Sequence, residues 1–233
     1  MTTACPERFV FVVTYGRSGS TLVQNLLNAL PGYCIRGENA DALGPLSRAW
    51  ANLAFSENIG SHRRKRLPTA PSEPWFGAEQ IDAQDVGQHL ARLFVDKVLN
   101  PPEGTRIAGF KEIRWPGDDR HFRNAMAFLL RFFPGSLLVF NTRDARDVAK
   151  SGWWAEMEPE AVHSRIARWD ALFDACQQAH PDRCVRLHYD AYVRDHGAFG
   201  PLFDALGEPF DPELVAGVMT RKLTHMKTEE PLC

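Results

Sequence analysis

The segment VVTYGRSGSTLVQNLL, residues 12–27, constrains the fold of this chain more than any other. Phe9 to Thr14 is a continuous apolar run rich in Val and Phe, the composition of a parallel strand covered on both faces. A glycine-serine turn follows at once. Thr21 to Leu30 then places Leu22, Leu26, Leu27 and Leu30 on one helical face, and Pro31-Gly32 ends the helix. A strand that turns directly into a helix presents unpaired backbone N–H groups and the positive end of a helix dipole at the sheet edge, which suits an oxyanion. Gly16 and Gly19 let the backbone curl close to such a group, and Ser18, Ser20 and Thr21 add hydroxyl donors. The same residues also read as a plain strand-to-helix turn with Ser20 as its cap.

The alternation continues along the chain. Ile107 to Phe110, Ser136 to Thr142 and Arg183 to Tyr189 read as further buried strands, and the short YCIRG stretch as one more. Gln84 to Leu99, Phe122 to Phe133, Ala161 to Ala179 and Phe199 to Leu206 carry apolar residues at helical spacing. Strands and helices in turn predict an α/β class: a P-loop-like three-layer fold with a central, mainly parallel sheet flanked by helices. The 233 residues fit one domain, 1–233, with an insertion. That insertion is Ser56 to Phe76, SENIGSHRRKRLPTAPSEPWF, which is polar, basic and proline-punctuated with no period that would bury a face. It is expected to be a long loop or lid, its HRRKR run a solvated surface.

Charge and cysteine content exclude several function classes. The 27 Lys and Arg against 29 Asp and Glu leave a formal charge of -2, so no global field draws the protein to nucleic acid or anionic membrane. Five scattered cysteines without a CxxC pair fit neither a disulfide scaffold nor a zinc site, and are expected to be reduced thiols. The apolar run near the N-terminus is too brief to span a bilayer, and no basic region or cleavage signal accompanies it. A cytoplasmic protein without a transmembrane segment is the expectation.

A nucleoside-triphosphate loop would read GxxxxGK[ST], and no such string occurs. The lysine that would reach a γ-phosphate is missing, as is the Lys-Ser/Thr pair that accompanies bound magnesium, which argues against phosphoryl transfer from ATP; no metal is expected. Arg17 stands in the turn instead, a fixed cation with a fork of donors. A second cluster follows SLLVFNT in RDARDVAKSGWW. Arg143 stands at the strand's carboxyl end, with Ser151 eight positions later on the expected following helix. Cation and hydroxyl together would make a second phosphate cradle at the same sheet edge. The stretch reads equally as an exposed helix start, with Asp144 at the positive helix end and Asp147 pairing locally.

YGRSGSTL resembles the 5'-phosphosulfate loop of sulfotransferases, and FNTRDARDVAKS resembles their 3'-phosphate motif. The similarity is nearest to the bacterial and Golgi branches, whose loop carries Arg-Ser-Gly. RGE at 36–38 resembles the segment bearing the catalytic carboxylate, and GFKEIR at 109–114 a family strand carrying a lysine. The resemblance implies 3'-phosphoadenosine 5'-phosphosulfate (PAPS) as donor co-substrate and in-line transfer of a sulfuryl group to an acceptor hydroxyl on a sugar, lipid or small metabolite. It further implies that Arg17, Ser18, Gly19, Ser20 and Thr21 hold the 5'-phosphosulfate, and that Lys111 meets the bridging oxygen as it leaves. Arg143 and Ser151 would hold the 3'-phosphate, with Tyr189 stacked on adenine. Glu38 would be the base, with His121 its rival. TRKLTHMK faintly resembles a loop that closes on the 3'-phosphate, making Arg221, Lys222 and Lys227 candidates, although Leu223 stands where that loop has glycine. The acceptor would lie against the 56–76 lid and Trp75, Trp115, Trp153 and Trp154. Two alternatives remain: an atypical P-loop small-molecule kinase, distinguished by a need for magnesium, and a non-catalytic nucleotide-binding module, distinguished by lack of turnover.

Overall fold

A computed structural model of the protein describes residues 6–66, 68–115 and 118–220. Five strands form one sheet: β1 Arg8–Thr14, β2 Tyr33–Arg36, β3 Ile107–Glu112, β4 Leu137–Thr142 and β5 Cys184–His188, in the spatial order β2-β3-β1-β4-β5. All four pairings are parallel. The apolar β1 run explains its central place, because a parallel strand needs both faces covered. Phe9, Phe11 and Val13 enter the core on one side and Val10 and Val12 the core on the other. The expected α/β class with a parallel sheet between helical layers is therefore what the chain forms.

Each face has its own helices. One packs under α1 Ser20–Ala29, α9 Gly200–Leu206 and α10 Pro212–Met219. The other packs under α2 Leu43–Ala54, α4 Ala83–Phe94, α5 Asp119–Phe132 and α7 Pro159–Ala179. This second layer is rich in phenylalanine, with Phe133 edge-on to both Phe9 and Phe11 at 5.1 Å. Strands β1 and β3 approach closely where they pair, since a Cβ on Gly109 would stand 1.7 Å from the Val10 carbonyl oxygen. Only glycine fits there. Among the described residues, no helix is long and apolar enough to cross a membrane.

Two expectations are corrected, and one helix was not foreseen. The 56–76 insertion is not a loop throughout, since α3 Glu57–Lys65 forms inside it. Ser56 caps this helix by accepting from the Ile59 N–H at 3.3 Å, Arg63 pairs with Asp82, and only Ile59 is buried, so no apolar period announced the helix. Helix α2 was not foreseen; its Pro45 falls in the first helical turn, where no intrahelical N–H is needed. Finally, Ser151 is not on a helix after β4. That helix, α6, spans only Ala145–Ala149, and Ser151 precedes a 3₁₀ turn at Gly152–Glu156 whose Gly152 has φ 57°.

The chain order places the switch point at β1. The crossover through α1 leads to β2 and β3 on one side, and α5 carries the chain past β1 to β4 on the other. The crevice beyond the carboxyl end of β1 is where such sheets accept ligands.

Candidate active site

The turn between β1 and α1 has a backbone that few sequences permit. Arg17 takes φ 67° and Gly19 φ 81°, both left-handed. A Cβ on Gly19 would also meet the Tyr189 ring at 2.1 Å, so glycine is required there by conformation and by space. Thr14 and Asn141 brace the loop from below. The Thr14 hydroxyl donates to the Asn141 carbonyl at 2.6 Å and lies 2.6 Å from the Ser18 hydroxyl, while the Asn141 amide donates to the Ser18 carbonyl at 2.8 Å. The Ser18 side chain is thus turned into the core rather than toward a ligand, which differs from its expected role; its backbone remains part of the turn.

Above this loop lies a cavity of about 270 Å³ at the carboxyl ends of β1, β3 and β4. Arg17, Gly19, Ser20, Thr21, Glu38, Lys111, Arg143 and Tyr189 line it, so residues far apart in sequence meet in one space. The two expected cradles abut. The Arg17 Nε donates to the Ser151 hydroxyl at 2.8 Å, and an Arg143 Nη1 donates to the Arg17 carbonyl at 3.1 Å. The Arg143 guanidinium sits 4.4 Å over the Tyr189 ring. Tyr189 opens a short helix, α8 Tyr189–Arg194, and its ring is engaged by Gly19 and Arg143. Tyr189 also lines the cavity.

Two features here were not legible beforehand. Tyr15 accepts from the Arg143 N–H at 3.0 Å and donates to the Arg143 carbonyl at 3.1 Å, tying the first loop to the second. Burial pushes the Tyr15 hydroxyl well above the usual tyrosine range, so it stays a donor. Arg143 Nε is itself buried with no hydrogen-bond partner among the described residues. A charged donor left so is costly, and an anion in the adjoining cavity would satisfy it.

Lys111 and Glu38 meet directly. The Lys111 side chain is 7% exposed on β3, and its Nζ donates to Glu38 Oε1 at 2.6 Å, while Arg114 binds the other carboxylate oxygen. Burial raises the Glu38 carboxyl, but hydrogen bonds and charge from Lys111 and then Arg114 outweigh it and hold the group below its ordinary range. The loop carrying Glu38 is anchored by Glu112, a buried carboxylate that no sequence argument singled out. It accepts from the N–H groups of Asn39, Asp41, Ile113 and Arg114 at 2.8 to 3.2 Å. Its position beside Lys111 in FKEIR was the available signal, since a strand-end acid opposite Val13 must find donors or solvent.

His121 is placed elsewhere. It pairs with Asp118 at the start of α5 and lines neither this cavity nor its neighbour. That neighbour, about 550 Å³, shares the walls Gly16, Ile113 and Trp153 and extends to Trp115, Trp154 and Trp169. Trp75 and the 56–76 segment line neither cavity, because α3 packs against the turn at Ala78–Gln80 instead. Arg221, Lys222 and Lys227 lie outside the described residues.

A family model described as the Sulfotransferase family matches residues 9–212. No curated protein matches the chain. Among solved structures, the sulfotransferase domain of the Synechococcus PCC 7002 olefin synthase is similar, with 18% identity, a TM-score of 0.55, and coverage of 95% of this chain and 80% of that one. The sulfotransferase domain from the curacin biosynthetic pathway has 16% identity and a TM-score of 0.49, with 90% and 77% covered. Retinol dehydratase in complex with androsterone and the inactive cofactor PAP has 17% identity and a TM-score of 0.46, with 93% and 64% covered.

Proposed function

Because the chain belongs to the sulfotransferase family, we propose that it moves a sulfuryl group from PAPS to an acceptor hydroxyl, with Glu38 as general base and Lys111 as the cation on the leaving oxygen. The observation that carries this reading is the meeting of Arg17, Lys111, Arg143 and Glu38, from four separate segments, on one cavity beside a helix N-terminus. Arg17, the turn backbone through Gly19, and the Ser20 and Thr21 hydroxyls hold the 5'-phosphosulfate. Arg143, with its unpaired Nε, and Ser151 hold the 3'-phosphate. The two phosphates of one donor need two adjoining cradles, and the Arg17–Ser151 contact makes them adjoin.

The chemistry follows from these positions. The bond from sulfur to the 5'-phosphate oxygen breaks as the acceptor oxygen bonds to sulfur, and negative charge grows on the departing oxygen. Lys111 meets that charge, and Glu38 takes the acceptor's proton. Lys111 and Glu38 satisfy each other, so donor binding draws Lys111 toward phosphate and releases one Glu38 oxygen for the acceptor, while Arg114 keeps the other. The acceptor is a sugar, lipid or small-metabolite hydroxyl seated in the tryptophan-lined cavity. The whole chain acts as one sulfotransferase domain, and Cys34, Cys176 and Cys184, all unpaired, support a cytoplasmic setting.

Thermal shift tests the donor assignment. Adenosine 3',5'-bisphosphate (PAP) is expected to raise the melting temperature well above ATP with magnesium at equal concentration, and PAPS labelled in sulfur to pass its label to an alcohol. Equal stabilisation by ATP with magnesium, or no label transfer to any hydroxyl acceptor, overturns it.

A further inference from the structure

The larger cavity has an unusual set of polar groups. Arg114, Arg165 and Arg168 line it together with Trp115, Trp153, Trp154 and Trp169, and among the described residues no Asp, Glu, Asn, Gln, Ser or Thr does. Its one side-chain hydroxyl among the described residues, that of Tyr15, is already bonded on both sides to the Arg143 backbone. Two indole N–H groups are spent as well: Trp115 donates to the Glu112 carbonyl and Trp154 to the Gly16 carbonyl, each near 3 Å. A ligand here therefore meets ring faces and side-chain cationic donors, with no side-chain acceptor for hydroxyls of its own. A polyhydroxylated neutral sugar fits that lining poorly, since its O–H groups need acceptors as well as donors.

The three arginines are not equivalent. Arg114 is bound to Glu38, and Arg168 is held by Asp119 through both Nε and Nη2, at 2.7 and 2.6 Å. Arg165 has no ion pair or hydrogen bond among the described residues; its guanidinium stands 5.8 Å over the Trp154 ring. Trp153, half exposed, lies beside Trp154 with ring centroids 6.3 Å apart and forms part of the wall shared with the donor cavity. An aromatic wall thus leads from the reacting end to an uncommitted cation.

We propose that the acceptor is a hydroxyl compound with a ring body and a second, permanently anionic group, and that Arg165 binds that anion. The assignment rests on the sulfotransferase reading above and narrows its acceptor. The ring lies against Trp153 and Trp154, its hydroxyl reaches Glu38, and its carboxylate, phosphate or sulfate meets the Arg165 fork. The guanidiniums also offset the repulsion that an anionic acceptor meets beside an anionic donor.

The test uses a hydroxyaryl and a hydroxycyclohexyl carboxylate, each paired with its neutral amide, on the full chain. Turnover with PAPS gives kcat/KM, and quenching of tryptophan fluorescence in the PAP-loaded protein gives binding without turnover. The acids are expected to exceed their amides by roughly 10- to 100-fold, as one charge-assisted hydrogen bond implies. That ratio is expected to collapse toward one in Arg165→Ala and to be partly kept in Arg165→Lys, with the change in KM rather than kcat. Equal acid and amide in the wild type, or an Arg165→Ala loss shared equally by both, overturns the inference. Calorimetric titration with PAP separates the two readings: if PAP binds and the acids show no preference, the anionic acceptor falls while the donor assignment stands, and if PAP does not bind, the donor assignment falls first and the acceptor with it.

Discussion

Removing Lys111 as Lys111→Ala takes away the cation, itself nearly buried, that the structure places on Glu38 at 2.6 Å. At roughly 4 Å between charge centres and an effective dielectric near 20, such a pair attracts by about 4 kcal/mol before desolvation is counted. Only part of this appears in the ground state, because the Glu38 side chain is 30% exposed and Arg114 still binds its other oxygen. The transition state loses more. Losing one preorganised donor at a developing oxyanion costs about 2.7–4 kcal/mol, so kcat is expected to fall about 10²- to 10³-fold. The pH dependence adds a signature peculiar to this geometry. With Lys111 gone, burial still raises the Glu38 carboxyl of the free enzyme while the main opposing influence is lost, so the acid limb of the kcat/KM profile for PAPS, which reports the free enzyme, moves to higher pH. Glu38→Gln instead removes that limb and lowers kcat by about 10²- to 10⁴-fold. Profiles of kcat and of kcat/KM for PAPS against pH, run with an unactivated alcohol and with an acidic phenol, separate the roles: the phenol is expected to rescue Glu38→Gln in part and Lys111→Ala not at all. A Lys111→Ala enzyme within threefold of wild type, or one whose acid limb moves down, refutes the assignment of Lys111 to the leaving oxygen.

Three further outcomes are expected. Arg143→Ala removes the donor with the buried unpaired Nε and is expected to weaken PAP binding by roughly 10- to 150-fold in calorimetry with a much smaller change in kcat; unchanged affinity would remove the second cradle. Gly19→Ala forces a side chain into φ 81° against the Tyr189 ring, and is expected to cost about 1–3 kcal/mol in denaturant unfolding and to abolish the PAP-induced thermal shift, whereas wild-type behaviour would mean that the turn is not held as described. The Glu38 carboxyl lies below its ordinary value of 4.5 in the folded protein, so its contribution to stability is complete above that value and is lost as pH falls through the folded one. Between pH 5 and pH 3 the melting temperature of Glu38→Gln is therefore expected to fall less steeply than that of wild type, and parallel curves would deny the shift.

The sequence by itself determined the class of the fold and the first cradle, because both are local. A wholly apolar Phe9 to Thr14 run can be satisfied only by a covered central strand, and a strand feeding a glycine-serine turn and a helix must point N–H groups at the sheet edge. Lys111, Arg143 and Glu38 were likewise visible as strand-end residues, since the carboxyl ends of parallel strands share one edge. Tertiary structure decided what such residues touch. Strand order β2-β3-β1-β4-β5 sets the Glu38 loop beside Lys111 across 73 positions of sequence, and Arg17 beside Ser151 across 134. Glu112 became the anchor of the Glu38 loop, and Tyr15 the tie to Arg143, through backbone groups whose positions exist only once the strands are registered. Trp75 stood beside Trp153 as a candidate wall, and His121 was the rival of Glu38. Packing sets both away from these cavities: one is carried on the segment that folds against Ala78–Gln80, and the other is held by Asp118 at a helix start. Side-chain type and strand position are properties of the sequence, whereas which of several suitable side chains faces a given cavity depends on the packing of elements distant in the chain.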